Sequence, residues 1–113
     1  AALVAPELAG LRGLVFLGYP LHPPGKPDQL RDAPLFQVHK PMLFIQGEKD
    51  RFARLDLLKK VLGQLNGDVR LHLIAEGDHS FKVPRRTGRR YQQVLEEVVA
   101  TVVEWISQRS GVF

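Results

Sequence analysis

The chain predicts an α/β fold, a three-stranded parallel sheet with flanking helices, and three observations carry that prediction. Leu14–Leu17 and Met42–Ile45 are apolar throughout, as strands buried on both faces are, and Val69–Ile74 is a further strand-like run. A segment with apolar residues at helical spacing separates the second run from the third, and a longer one follows the third. Strands that alternate with helices pair in parallel through right-handed crossovers. The expected order is helix, strand, loop, strand, helix, strand, helix, in one domain spanning 1–113.

Residues 1–9 read as the tail of a helix, with Gly10 as its stop. Gly13 and Gly18 bracket the first strand, which is too apolar for an open sheet edge and so calls for a further strand upstream. Tyr19 to Pro27 holds four prolines and a glycine, which excludes regular structure. Asp28 is placed to cap a short helical turn through Leu30 and Arg31. Lys40 and Pro41 open the second strand. Arg54 to Leu65 carries Leu55, Leu58, Leu62 and Leu65 on one stripe, with Leu57 and Val61 beside them, and reads as a helix with a wide buried face. Asn66, Gly67 and Asp68 turn the chain into the third strand, where Arg70 and His72 alternate with Val69, Leu71 and Leu73, as in a strand with one less buried face or at a sheet edge. The last helix spans Thr87 to Gln108, with Tyr91, Leu95, Val98, Val102 and Ile106 along its stripe, broadened by Val94, Val99, Val103 and Trp105.

Composition excludes several classes of function. With 44% hydrophobic and 25% charged residues the chain is ordinary for a globular domain. No apolar run approaches the roughly 18 residues that span a membrane, and no signal-peptide pattern opens the chain; the default setting is cytoplasmic. The absence of cysteine removes both a disulfide framework and thiol nucleophile chemistry. The chain starts at Ala1 and not at methionine, as expected of a processed or excised polypeptide. Most of the net charge of +4 sits in Lys82 to Arg90. No aromatic residues interleave with Arg85, Arg86, Arg89 and Arg90 as a stacking platform requires, so a solvated loop is favoured over a nucleic-acid contact.

In open parallel sheets the chemistry gathers outside the carboxyl ends of the strands. Asp50 follows the second strand and His79 the third, with Gly77 freeing the backbone before it. An acid bonded to one imidazole nitrogen fixes the tautomer and leaves the other nitrogen as a base, so Asp50 orients and His79 moves the proton. The competing readings are a turn residue or helix cap for Asp50 and a solvent-exposed loop residue for His79. Glu48 and Asp78 are the rival acids; Asp78 points away from His79 in an extended segment. Tyr19 and His22, in the loop after the first strand, are candidates for substrate binding, with rigid loop packing as the alternative for His22. His39 reads as a surface turn and His72 as an exposed strand residue. No histidine pair has metal-site spacing, and no cofactor or metal is expected. The serines are Ser80, Ser107 and Ser110, and none stands in a nucleophile-elbow setting.

Gly47-Glu48-Lys49-Asp50 after a buried strand, then Gly77-Asp78-His79-Ser80-Phe81 before a long helix, resemble the carboxyl half of an α/β-hydrolase. The segment Gly18 to Pro27, followed by Leu30, Arg31 and Asp32, is similar to small dienelactone-hydrolase-like members, including the branch of testis-expressed and histone-acetyltransferase-complex hydrolase-like proteins. The resemblance runs from about Leu11 to Ile106. It implies that the strands are the last three of the family's eight, and that Asp50 and His79 are the triad acid and histidine. The serine, in a Gly-x-Ser-x-Gly elbow, and the oxyanion-hole loop would then lie upstream of Ala1. On this resemblance the chain is the carboxyl-terminal half of a serine hydrolase for an ester or related acyl bond, and is inert alone. The alternative is a non-catalytic interaction module on the same fold. The expected partners are a small ester-like substrate in the complete protein and, through an exposed edge at Leu14–Leu17, further copies of the chain; neither membrane nor nucleic acid is expected.

Overall fold

Three parallel strands make the body of the sheet, and a fourth, antiparallel strand closes one side of it. The computed structural model describes residues 2–4, 13–37, 40–65 and 67–110. Strand β1 is Ala2–Val4, β2 is Leu14–Leu17, β3 is Met42–Gly47 and β4 is Val69–Ile74, in the spatial order β1-β2-β3-β4. β2, β3 and β4 are parallel, with Phe16 beside Phe44 and Gln46 beside Leu73. β1 runs antiparallel to β2, with Leu3 beside Phe16.

β1 corrects the reading of residues 1–9 as a helix tail. A three-residue piece cannot nucleate a helix, whereas the free edge of an apolar strand offers it a row of backbone partners. The edge of β2 expected to be exposed is therefore occupied within the chain. The proposed helix stop at Gly10 and the surface turn at His39 lie outside the described residues, as does Asn66.

β3 is buried at every residue, because helices cover both faces of the sheet. Alternation sends Leu43 and Ile45 to one face, where Val15, Ile74, Phe81, Val94, Val98 and Trp105 join them. Met42 and Phe44 point the other way, to Phe16, Leu21, Leu35, Leu58 and Val61. Phe16 and Phe44 stack at 4.6 Å between centroids, and Tyr19 meets both rings edge-on.

Helix α1, Leu55–Gly63, covers the second face and α2, Tyr91–Ser110, the first. α2 starts later than Thr87 because Arg85–Thr87 form a separate 3-10 turn and the Gln93 side chain caps the Arg90 N–H at 2.8 Å. Its buried stripe is Val94, Val98 and Trp105; Tyr91, Leu95, Val99 and Val103 of the expected stripe face outward. No helical turn forms at Asp28 to Arg31; the short 3-10 helix lies at Ala33–Gln37 instead. β4 is an edge strand, as its alternation predicts. His72 is not a bare surface residue, however: its Nε2 lies 2.6 Å from Glu97 of α2, which also binds Arg89. Among the described residues no helix is long and apolar enough to cross a membrane.

Candidate active site

Two turns at the carboxyl edge of the sheet carry the acid and the histidine. After β3 the chain turns so that the Asp50 N–H donates to the Gly47 carbonyl at 3.1 Å. After β4 the Ile74 carbonyl accepts from both Gly77 and Glu48, and the Lys49 N–H donates to the Gly77 carbonyl at 2.8 Å. These bonds lock one turn against the other. A Cβ on Gly47 would overlap the carbonyl oxygens of Gly77 and Asp78, so only glycine permits this approach.

The His79 loop gets its shape from its flanks. Glu76 and Phe81 hold positive φ angles of 56° and 66°, an arrangement that costs about 1–3 kcal/mol per residue. Phe81 is kept there by its place in the core. Gly77, expected to supply the backbone freedom, is not among the residues with positive φ. Asp78 turns its Oδ1 onto the N–H groups of Ser80 and Lys82, both at 2.9 Å, and so folds the loop rather than pairing with His79.

His79 Nδ1 lies 2.6 Å from Asp50 Oδ2. A carboxylate can only accept, so Nδ1 carries a proton, and in the neutral ring Nε2 presents its lone pair. Nothing among the described residues bonds Nε2. The Asp50 side chain is fully buried, while that of His79 is 21% exposed. Phe52 lies against the imidazole, 4.4 Å between ring centroids. On another side Gly18, at φ 77°, lets the backbone after β2 reach the ring, which a Cβ would crowd.

Asp50 combines two of the roles expected of it. Oδ1 accepts the Phe52 N–H at 2.7 Å, which makes it a turn residue; Oδ2 serves His79 and also accepts from Gln46 Nε2 at 2.6 Å. It does not cap α1, whose N-cap Arg54 has no side-chain cap and instead donates its own N–H to His22 Nε2 at 2.9 Å. Glu48, the other rival acid, accepts the Glu76 N–H at 3.3 Å and does not bond His79.

His22 is buried, and both of its ring nitrogens are engaged: Nδ1 meets the Pro23 carbonyl at 2.8 Å and Nε2 the Arg54 N–H. The Tyr19 hydroxyl donates to the Arg31 carbonyl at 2.5 Å. Burial, then the charge of Asp32, pushes the Tyr19 phenol above its ordinary value of 10.0, against the opposing influence of Arg31. The polar atoms of both side chains are thus spent on the backbone of the chain itself. The ring of His22 does line a groove of about 450 Å³ beside Asp50, with Lys49, Arg51, Arg54 and Leu55. A larger groove, about 670 Å³, lies on the outer face of α2 along Leu95, Val99 and Val103 and includes neither Asp50 nor His79. In the basic stretch Arg86 pairs with Glu76, and Arg89 with Glu97.

Sequence reasoning missed Gln46, Phe52, Gly18 and Gly47. Gln46 had a legible signal: it is a polar residue on the Phe44 face of a strand otherwise apolar, and a buried amide there needs partners. Among the described residues no three acids or histidines converge as a metal site.

The model of the alpha/beta hydrolase domain matches residues 1–107. No solved structure matches the chain. The parallel sheet, the helices on its two faces and the acid and histidine at successive strand ends agree with a family match over nearly the whole length, and the chain belongs to the alpha/beta hydrolase family.

Proposed function

We propose that this chain supplies the acid and the histidine of a serine hydrolase acting on an ester or related acyl bond, in the dienelactone-hydrolase-like branch. The observation that carries the reading is the buried Asp50 carboxylate 2.6 Å from His79 Nδ1, with Nε2 left open at the sheet edge. In this mechanism Nε2 takes the proton of a serine hydroxyl as it attacks the acyl carbon. Asp50 holds the tautomer and stabilises the imidazolium, and the same proton then passes to the leaving group. His22 contributes to substrate binding through the shape of the groove wall, since its ring nitrogens are occupied; Tyr19 packs on Phe16 and Phe44 and does not line that groove.

The serine comes from outside these 113 residues. Ser80 follows His79 directly and has its N–H on Asp78; the Ser107 hydroxyl donates to Glu104 on α2. A serine-directed phosphonate probe tests this. It is expected to leave the 113-residue chain unlabelled and to label a longer form that carries an upstream elbow serine, with labelling lost in His79→Ala. Labelling of the 113-residue chain itself, with ester turnover, contradicts the assignment.

A second reading, a non-catalytic interaction module, draws support from the apolar outer face of α2, where Val99 is 61% and Val103 51% exposed. A longer form whose elbow position holds no serine would favour it.

A further inference from the structure

The Asp50–His79 pair rests on a third polar side chain that is itself wholly buried. Gln46, at 0% exposure, bonds the two sides of the site at once. Its Oε1 accepts the Tyr19 N–H at 3.0 Å, and its Nε2 donates to Asp50 Oδ2 at 2.6 Å. Nε2 also lies 3.4 Å from the Tyr19 carbonyl. The orientation of the amide follows from the chemistry of its partners. A carboxylate only accepts and a backbone N–H only donates, so the NH₂ must face Asp50 and the oxygen must face Tyr19.

We propose that Gln46 is a positioning residue, which fixes the rotation of the Asp50 carboxylate so that Oδ2 meets His79 Nδ1 and ties that geometry to the loop after β2. Asp50 Oδ1 is held by the Phe52 N–H and Oδ2 by Gln46. Two anchors on opposite oxygens set the plane of the carboxylate, and the remaining direction at Oδ2 is the one His79 occupies. Without Gln46 only the Phe52 N–H and the imidazole itself hold the carboxylate, which is then freer to turn about its Cβ–Cγ bond, as sp² termini do readily. The inference deepens the proposed active-site reading and rests on it. It adds that the histidine tautomer depends on a residue that bonds Asp50 and not the imidazole itself.

The test reads the His79 ring directly, by proton–nitrogen NMR on the isotopically labelled chain. Gln46→Leu and Gln46→Met each remove both bonds without introducing a new donor to Asp50, Met at similar length. Both variants are expected to lose the Nδ1-bound proton resonance of His79, with a larger share of the Nε2–H tautomer. Retention of the wild-type tautomer and of that resonance in a folded variant overturns the proposal. Should both variants unfold, the wild-type chain decides it. One Gln46 side-chain amide proton is expected to exchange slowly, as a buried donor to Asp50 does; amide protons that both exchange as fast as exposed ones also overturn it. If the wild type itself lacks an Nδ1-bound proton, the acid–histidine reading fails rather than the role of Gln46.

Discussion

Asp50 accepts three hydrogen bonds on two oxygens, from Phe52, Gln46 and His79. An Asp50→Asn substitution keeps its shape but removes the charge and sets an NH₂ against at least one of those donors. Leaving a buried donor unpaired costs about 1–3 kcal/mol, so urea unfolding is expected to show a loss of that size. Tyr19→Phe removes one neutral bond, to the Arg31 carbonyl, and is expected to cost about 1 kcal/mol by the same measurement. Asp50 and His79 were legible as candidates because short apolar runs mark strand ends and polar turns follow them. Gln46 was not singled out, because a glutamine next to a glycine at the end of a strand reads as the start of a turn. Its burial depends on Tyr19, 27 positions earlier, which folds back over it.

The elements succeed where the pattern is long and mislead where it is short or uniform. β2, β4 and α1 lie where periodicity puts them. α2 is apolar on more than one side, so its spacing alone could not show which side meets the sheet; Trp105 and Val98 decide it by packing on β3. β1 was invisible as a strand because three residues carry no period, and their state depends on the neighbouring edge of β2. Gly47→Ala forces the turn after β3 away from the His79 loop, with an expected cost of about 1–3 kcal/mol and loss of the Asp50–His79 bond by NMR. The Glu97 clasp between β4 and α2 should respond to acid. Burial alone would raise the Glu97 carboxyl, but the bonds from His72 and Arg89 prevail and hold it below its ordinary 4.5. A depressed carboxylate stabilises the fold above its unfolded value, and that stability is lost as the pH falls through the folded one. Glu97→Gln is therefore expected to flatten the acid limb of a stability–pH curve below about pH 4.5.

At the scale of the whole molecule, the sheet brings the acid and the histidine together from opposite ends of a crossover through α1. Neither turn could hold its residue alone, since each takes backbone bonds from the other. The parallel order of β2, β3 and β4 was readable from strand–helix alternation, whereas the contact between the turns depends on Gly47 and could be seen only in three dimensions. The outer face of α2 is peripheral to this arrangement. Val99→Gln with Val103→Gln is expected to change unfolding stability by no more than about 0.5 kcal/mol per site, unlike any change at Phe44. The central claim is that Asp50 and His79 form the acid–base half of a hydrolytic site. Nitrogen NMR of the His79 imidazole, in the wild type and in Asp50→Asn, tests it most directly. In its neutral form the wild-type ring is expected to carry its proton on Nδ1, bonded to Asp50, with Nε2 bare, and the variant to lose that preference. A neutral wild-type ring protonated on Nε2, or a tautomer that Asp50→Asn leaves unchanged, would contradict the account.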